Sequence, residues 1–158
     1  MALLKGTNSY VTLAEANSYF ENRLNVAAWT EASDPEKNQA LVTATSVLND
    51  EKWVGTAISD SQLLAFPRAG SYFDPRLGYD VSLSDSVPDR IITATYELAY
   101  HLLNNEDVLD DAGTVSSVQV GPISLNIKTI AVIIPPTVKR LIRPLLVNAG
   151  SNAWWRAN

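Results

Sequence analysis

The sequence predicts a mainly α-helical domain that resembles a four-helix bundle, with one β-hairpin and an extended C-terminal tail. Three observations predict this fold. Apolar residues recur at helical spacing in four segments, apolar and polar residues alternate once, at about 115–127, and the last eleven residues follow neither pattern. With 158 residues the chain is long enough for one buried core. We expect one helical domain over residues 1–147 and a tail over residues 148–158.

The first two helices carry start signals. Thr12 is a suitable N-cap, and Glu15 three residues later completes a capping box. Ser33 is a plausible cap for the second helix, and Pro35 suits its first turn. The apolar stripes are Ala16, Tyr19, Phe20 and Leu24 in the first helix, and Ala40, Leu41, Ala44, Val47 and Leu48 in the second. Both patterns predict amphipathic helices.

Residues 54–86 contain several glycines and prolines and are interpreted as one long connection. Within it, the LLAFPR segment from Leu63 is either a plug in the core or a contact between subunits. Pro88 then opens the most strongly amphipathic helix, and a shorter helix follows near residues 137–146. Pro144 lies inside this last helix, so we expect it to kink or shorten the helix.

Composition limits the classes of protein to which the chain can belong. The chain has no cysteine, which excludes disulfides and thiolate metal sites and suits a reducing cytoplasm. No segment approaches the length of about 20 apolar residues that a membrane span needs, and the N-terminus lacks the pattern of a signal peptide. We therefore expect a protein without a membrane partner.

Charge is divided unevenly along the chain. Residues 1–111 contain all 17 acidic residues and seven basic ones, a net charge of −10, whereas residues 112–158 contain five basic residues and no acid, a net charge of +5. The division indicates either two surfaces that meet different partners or two parts that neutralise each other within one fold. The sequence leaves both interpretations open.

Enzyme chemistry has little support in the sequence. The single histidine, His101, has no recognisable triad partner, and neither a nucleophile-elbow motif nor a glycine-rich phosphate loop occurs. An acidic cluster follows the third helix and lacks the layout of a calcium-binding loop; its members are Glu106, Asp107, Asp110 and Asp111. We therefore expect no catalytic site, no metal and no cofactor.

Nucleic-acid binding is a second class to weigh. Lys139, Arg140 and Arg143 cluster on the last predicted helix, and aromatic residues for base stacking are present. A sequence pI near 4.7 weighs against a protein that binds phosphates non-specifically. The three basic side chains are equally well explained as the solvated face of an amphipathic helix.

The tail offers a third class, an interaction protein. The chain ends in AWWRAN, and Trp154, Trp155 and Arg156 are residue types enriched at interface hot spots. We interpret the tail as an anchor that enters a groove on a partner or a neighbouring subunit. The alternative is that both tryptophans fold back onto their own domain.

The order of these segments is similar to that of a known family. The segments TLAEANSYFENRL, KNQALVTATSVLNDEKWVG, QLLAFPRAG, VPDRIITATYELAYHLL and IPPTVKRLIRPLL together resemble the small head–tail connector, or adaptor, proteins of tailed bacteriophages. The same pattern is also labelled a DnaT-like single-stranded-DNA-binding protein. The resemblance runs from about residue 8 to residue 147 and rests on order and spacing.

This resemblance implies a structural adaptor without enzymatic activity, in a twelve-fold ring of identical subunits between the portal protein and the tail or stopper protein. The ring would be made in the bacterial cytoplasm, lie at the neck of the virion and leave a channel through which DNA passes without specific binding. The alternative implied by the second label is a single-stranded-DNA-binding protein.

The resemblance also implies roles for residues. The C-terminal segment would dock on the portal or a neighbouring subunit through Lys139, Arg140, Arg143, Trp154, Trp155 and Arg156. The hairpin would make contacts between subunits through Val118, Val120, Ile123 and Leu125. Because an acidic wall repels phosphate, we expect some of Glu106, Asp107, Asp110 and Asp111 to face the channel.

Overall fold

A computed structural model of the protein describes residues 2–105, 108–109, 116–120, 123–127 and 133–147. Within these ranges the helices are α1 (Leu13–Glu21), α2 (Ala27–Glu31), α3 (Asp34–Asn49), α4 (Asp89–Asn104) and α5 (Pro136–Ile142). The strands are β1 (Thr56–Ala57), β2 (Arg68–Ala69), β3 (Ser71–Asp74), β4 (Tyr79–Ser82), β5 (Ser116–Val120) and β6 (Ile123–Ile127). They form three antiparallel pairs, β1 with β2, β3 with β4 and β5 with β6.

The four-helix bundle predicted from the sequence is wrong, because the described chain forms a small mixed α/β domain. Only α3 and α4 are long, at 16 residues each, and they pack on each other. The helices α2 and α5 have five and seven residues, which is two turns or fewer. Such short helices cannot supply the long parallel ridges that a bundle packs together.

Residues 54–86 supply the part of the fold that the bundle prediction missed. The segment contains β1 to β4 and sends Leu64, Phe66, Tyr72 and Leu83 into the core. Leu63 points outward and is 69% exposed. The LLAFPR segment therefore plugs the core of its own domain, and the Phe66–Pro67 peptide within it is cis.

The predicted start of α1 is confirmed. The Glu15 amide donates to the Thr12 hydroxyl oxygen at 3.2 Å, and the Thr12 amide donates to the Glu15 carboxylate at 2.7 Å, which completes a capping box. The helix ends at Glu21, earlier than the apolar stripe predicts. Leu24 lies beyond the last helical turn, which would have placed it on the buried face, and it is therefore 86% exposed.

The core lies between α3 and α4, and α1, α2 and α5 also contribute side chains to it. Aromatic rings join α1, α2 and α4, with Tyr19 stacked on Tyr96 at 4.7 Å and Phe20 against Trp29 at 4.3 Å between ring centroids. From the C-terminal side, α5 contributes Val138, which is fully buried. One core therefore unites residues from most of the described chain.

Pro144 shortens the last helix, as the sequence predicts. The α-helix ends at Ile142 and continues as a single 3-10 turn over Arg143–Leu145. The chain then pairs with the segment after α3, where the Val54 amide donates to the Leu145 carbonyl at 2.9 Å and the Val147 amide to the Lys52 carbonyl at 2.8 Å. These bonds fix α5 against the body of the domain.

The strands β5 and β6 lie where the sequence predicts the hairpin, with Val118 opposite Leu125 and Val120 opposite Ile123. The side chains of this pair lie outside the described part of the structure, and so does their expected contact between subunits. The acidic cluster of Glu106, Asp107, Asp110 and Asp111 and the tail over 148–158 also lie outside the described residues. In the part of the chain that is described, no helix is long and apolar enough to span a membrane.

Candidate nucleic-acid interface

A groove of about 480 Å³ lies where β3, the first turn of α4, α5 and the 3-10 turn meet. We call it the arginine groove; its lining residues are Phe73, Pro75, Arg90, Arg140, Arg143 and Pro144. Elements distant in sequence thus bring three guanidinium groups and an aromatic ring to one concave surface.

A buried ion pair holds one wall of the arginine groove. Asp74 on β3 is 1% exposed and accepts two hydrogen bonds from the guanidinium of Arg90 on α4, from Nη2 to Oδ1 at 2.7 Å and from Nε to Oδ2 at 3.0 Å. The Tyr72 hydroxyl donates to Asp74 Oδ2 at 3.0 Å, and the Arg76 amide donates to Oδ1 at 2.8 Å. The bidentate arrangement is the strong form of such a pair.

This network sets the charge state of Asp74. The hydrogen bonds from Arg90 are the main reason that the pKa of the Asp74 carboxyl lies well below its ordinary value, and the Arg76 amide and Tyr72 hydroxyl act in the same direction. Desolvation raises the pKa of Tyr72, and its hydrogen bond to Asp74 adds to that effect. Asp74 is therefore ionised at neutral pH and keeps Arg90 in place.

A tight turn after β3 reverses the chain, which then pairs with β3 as the antiparallel strand β4. The amides of Leu77 and Gly78 both donate to the Asp74 carbonyl, at 3.1 and 2.8 Å. Gly78 has a φ of 77°, a left-handed conformation that glycine adopts without a steric penalty. Since Tyr72 and Asp74 face inward, strand alternation turns Phe73 outward, where it is 55% exposed.

Arg140 and Arg143 supply the accessible positive charge of the arginine groove. Arg140 lies in α5 and Arg143 begins the 3-10 turn three residues later, so both emerge on neighbouring parts of one side. Both are exposed, and within the part of the chain that the structure describes neither forms an ion pair. Their guanidinium groups are consequently available to phosphate, which they match in a bidentate geometry.

A second, acidic groove of about 610 Å³ lies at another place in the fold, between α2, the first half of α3 and the end of α4. Its wall includes Glu31 and Glu36 together with apolar side chains such as Leu102 and Leu109. The described fold therefore carries one acidic groove and one basic groove.

The other sequence candidates have structural roles or lie outside the described residues. His101 is in the last turn of α4, and its carbonyl accepts a hydrogen bond from the Asn105 side chain at 2.8 Å. Among the residues described, no group of three His, Cys, Asp or Glu side chains is arranged to hold a metal ion. Trp154, Trp155 and Arg156 lie beyond the described chain.

Of the basic residues that the sequence singles out, Arg140 and Arg143 line the arginine groove, whereas Lys139 lines a neighbouring groove. Sequence reasoning missed Phe73 and Arg90. Tyr72 and Asp74 pair inside and so turn Phe73 outward, but four residues are too few for alternation to reveal this from the sequence. For Arg90 there was no local signal, because its partner lies on another element.

Fold and groove together define a small mixed α/β domain with a basic, partly aromatic cleft on an acidic body. The chain belongs to the family whose description is "Putative DnaT-like ssDNA binding protein", and the match covers residues 2–157. No curated protein and no solved structure matches the chain. The comparisons give the bacteriophage connector resemblance no support.

Proposed function

We propose that the protein binds single-stranded DNA in the arginine groove. The observation that carries the proposal is the exposed ring of Phe73 beside the guanidinium groups of Arg140 and Arg143. Proteins that bind single strands without sequence preference combine these two features, a positive groove for the backbone and an aromatic platform for bases. The family description supports the same function.

Each part of the groove has a separate task in this proposal. Arg140 and Arg143 bind successive phosphates, and the ring of Phe73 stacks on a base. Arg90 is held by Asp74 and forms the rigid floor, so that little side-chain entropy is lost at that position on binding. A duplex keeps its bases stacked on each other, so Phe73 favours single strands over double strands.

At physiological salt the net charge of −5 is largely screened from this local site, whereas at low salt it opposes the binding of phosphates and limits the affinity. At an ionic strength of 0.15 M charges more than about 8 Å apart are largely screened. The phosphates therefore respond mainly to the arginines that touch them. We expect moderate affinity that is easily measured at low salt and falls as salt is raised.

Fluorescence anisotropy with a labelled oligothymidylate, measured over a salt series, tests the proposal. For single strands the slope of log K against log salt is about −0.7 per neutralised phosphate, so Arg140→Ala and Arg143→Ala should each make the slope shallower by about 0.7. Phe73→Leu should weaken binding by about 1–3 kcal/mol at every salt concentration, because it removes stacking and no charge.

Lys52→Ala is the matched control, since Lys52 is an exposed lysine outside the groove that forms no ion pair with the described residues. Its affinity should equal that of the wild type. The proposal is wrong if the wild type binds no single strand at 20 mM salt, or if the two arginine variants bind as Lys52→Ala does.

A second candidate function is the structural adaptor ring, and the opposite charges of the acidic groove and the arginine groove favour it. Oppositely charged surfaces on one subunit suit a head-to-tail contact, which closes into a ring when the rotation allows. In this proposal the protein joins the portal to the tail or stopper protein at the virion neck. The C-terminal segment with Lys139, Arg140 and Arg143 docks on the portal, and DNA passes through the channel.

Electron microscopy of the purified protein, alone and mixed with the portal of its own phage, tests this second function. Rings that sit on the portal would support it. A protein that stays monomeric with the portal at concentrations of tens of micromolar would contradict it. The two candidate functions differ in their response to Glu31→Gln, because Glu31 lines the acidic groove: the substitution should weaken ring assembly and leave DNA binding in the arginine groove unchanged.

A further inference from the structure

A further groove continues directly from the arginine groove. It has a volume of about 510 Å³ and lies between α1, α4 and α5. Arg90 and Arg140 line both grooves, so the two cavities meet at these side chains. We call this one the threonine groove, after Thr93 and Thr137, which line it from α4 and α5.

Helical spacing builds both walls of the threonine groove. Arg90, Thr93 and Glu97 recur at intervals of three and four residues and form one stripe on α4. Thr137 and Arg140 are three residues apart and form the facing stripe on α5. The two packed helices therefore form the walls of the threonine groove, and their polar groups line it as one channel.

Glu97, the one carboxylate among the described residues that line this channel, is already paired. It accepts two hydrogen bonds from Arg23, at 2.7 and 2.8 Å, and one from the Tyr19 hydroxyl at 2.7 Å. The Arg23 guanidinium also lies 4.3 Å from the centre of the Tyr100 ring, which holds it in place. Since this network satisfies Glu97, the carboxylate does not repel an entering phosphate as a free acid would.

We infer that a bound single strand passes from the arginine groove over Arg140 into the threonine groove. The inference rests on the proposed function and names a second subsite for the sugar–phosphate backbone. The hydroxyls of Thr93 and Thr137 donate hydrogen bonds to the strand, and Arg140 contributes to both subsites. From Arg90 to Glu97 the channel is about 10 Å long, which holds two or three stacked nucleotides.

A third cavity also meets Arg140, but its chemistry does not suit a phosphodiester chain. Most of its wall is apolar and comes from residues such as Ile134, Ile142 and Leu146. Glu51 and the cations Lys139, Arg140 and Arg143 also line it, but none of its described lining residues carries a hydroxyl group. Desolvating a phosphate against such walls is unfavourable. The strand therefore leaves the arginine groove on the side of the threonines.

Oligonucleotide length separates this inference from the proposed function. We expect the wild type to bind an oligothymidylate of about eight nucleotides more tightly than one of about four at low salt, because only the longer strand reaches both subsites. Thr93→Val and Thr137→Val should each weaken binding of the longer strand about fivefold, the effect of one lost hydrogen bond, and leave the shorter strand unaffected. Thr43→Val is the matched control, because Thr43 is a half-buried helical threonine that lines the acidic groove.

The outcomes are distinct. If neither length binds, the proposed function fails and the second subsite fails with it. If both lengths bind with equal affinity, or if the threonine variants bind the longer strand like Thr43→Val, the arginine groove stands and the threonine subsite is wrong. Circular dichroism of each variant checks that the fold is retained, and all three substitutions keep the shape of the side chain.

Discussion

The Asp74–Arg90 ion pair gives the sharpest test of how the arginine groove is built. The substitution Asp74→Asn keeps the size of the side chain but replaces one carboxylate oxygen with an amide group that faces the Arg90 donors. Since the pair is buried on the Asp74 side and bidentate, breaking it should cost about 3 kcal/mol, the lower end of the range for buried pairs. The lower end applies because the oxygen that the substitution leaves in place still accepts a hydrogen bond from Arg90.

Urea unfolding followed by circular dichroism at pH 7 measures this loss. With a denaturant dependence of about 2 kcal/mol per molar urea, the midpoint of Asp74→Asn should fall by about 1.5 M. The control is Asp80→Asn, since Asp80 lies on the paired strand but is exposed and should change stability by less than about 0.5 kcal/mol.

The pH dependence gives an independent test of the same pair. Because the folded pKa of Asp74 is lowered, its contribution is fully present above the unfolded pKa of about 3.9 and is lost as pH falls toward the folded value. The stability difference between wild type and Asp74→Asn should therefore shrink below pH 4, by about 1.4 kcal/mol for each pH unit. A difference under about 1 kcal/mol at pH 7, or one that stays constant as the pH falls about two units below the unfolded pKa, would refute this reasoning.

Three further predictions use the chain's own matched positions. Gly55 has a φ of 76°, and Gly55→Ala should destabilise the fold strongly because the new Cβ would overlap a backbone carbonyl oxygen. Gly6 has a φ of 81°, but a Cβ there meets open space, so Gly6→Ala should cost only about 1 kcal/mol. Urea unfolding of both variants separates the cost of the clash from the cost of the backbone conformation. Leu64→Ala should cost about 2–5 kcal/mol and Leu63→Ala less than about 0.5 kcal/mol, and equal losses would contradict the core-plug assignment. If the proposed adaptor ring forms, deleting residues 148–158 should abolish its association with portal rings in a co-sedimentation assay, and unchanged association would remove the docking role of the tail.

Local signals predicted the parts of the fold that depend on local interactions. The capping box at Thr12 joins residues three apart, and the shortening of α5 depends on Pro144 itself, so both are visible in a short window. The strands β1 to β4 could not be found in the same way. They have two to four residues each, and alternation over so few positions carries almost no information.

The candidate site likewise has one part that is visible in the sequence and one part that depends on tertiary contacts. The cluster of Arg140 and Arg143 was evident from helical spacing, but it was equally consistent with a solvated helix face. What distinguishes a groove from such a face is the presence of Phe73, whose exposure depends on the burial of its two neighbours on β3. That burial is decided by Arg90, which is 16 residues away along the chain from Asp74.

By itself the sequence determined where α1, α3, α4 and α5 begin and that opposite charges are concentrated in the two parts of the chain. These properties follow from residue order and from interactions within one or two helical turns. Only the tertiary structure decided that the long connection enters the core and that the basic helix lies beside an exposed aromatic ring. Both depend on contacts between distant segments, where burial and charge pairing outweigh local preference.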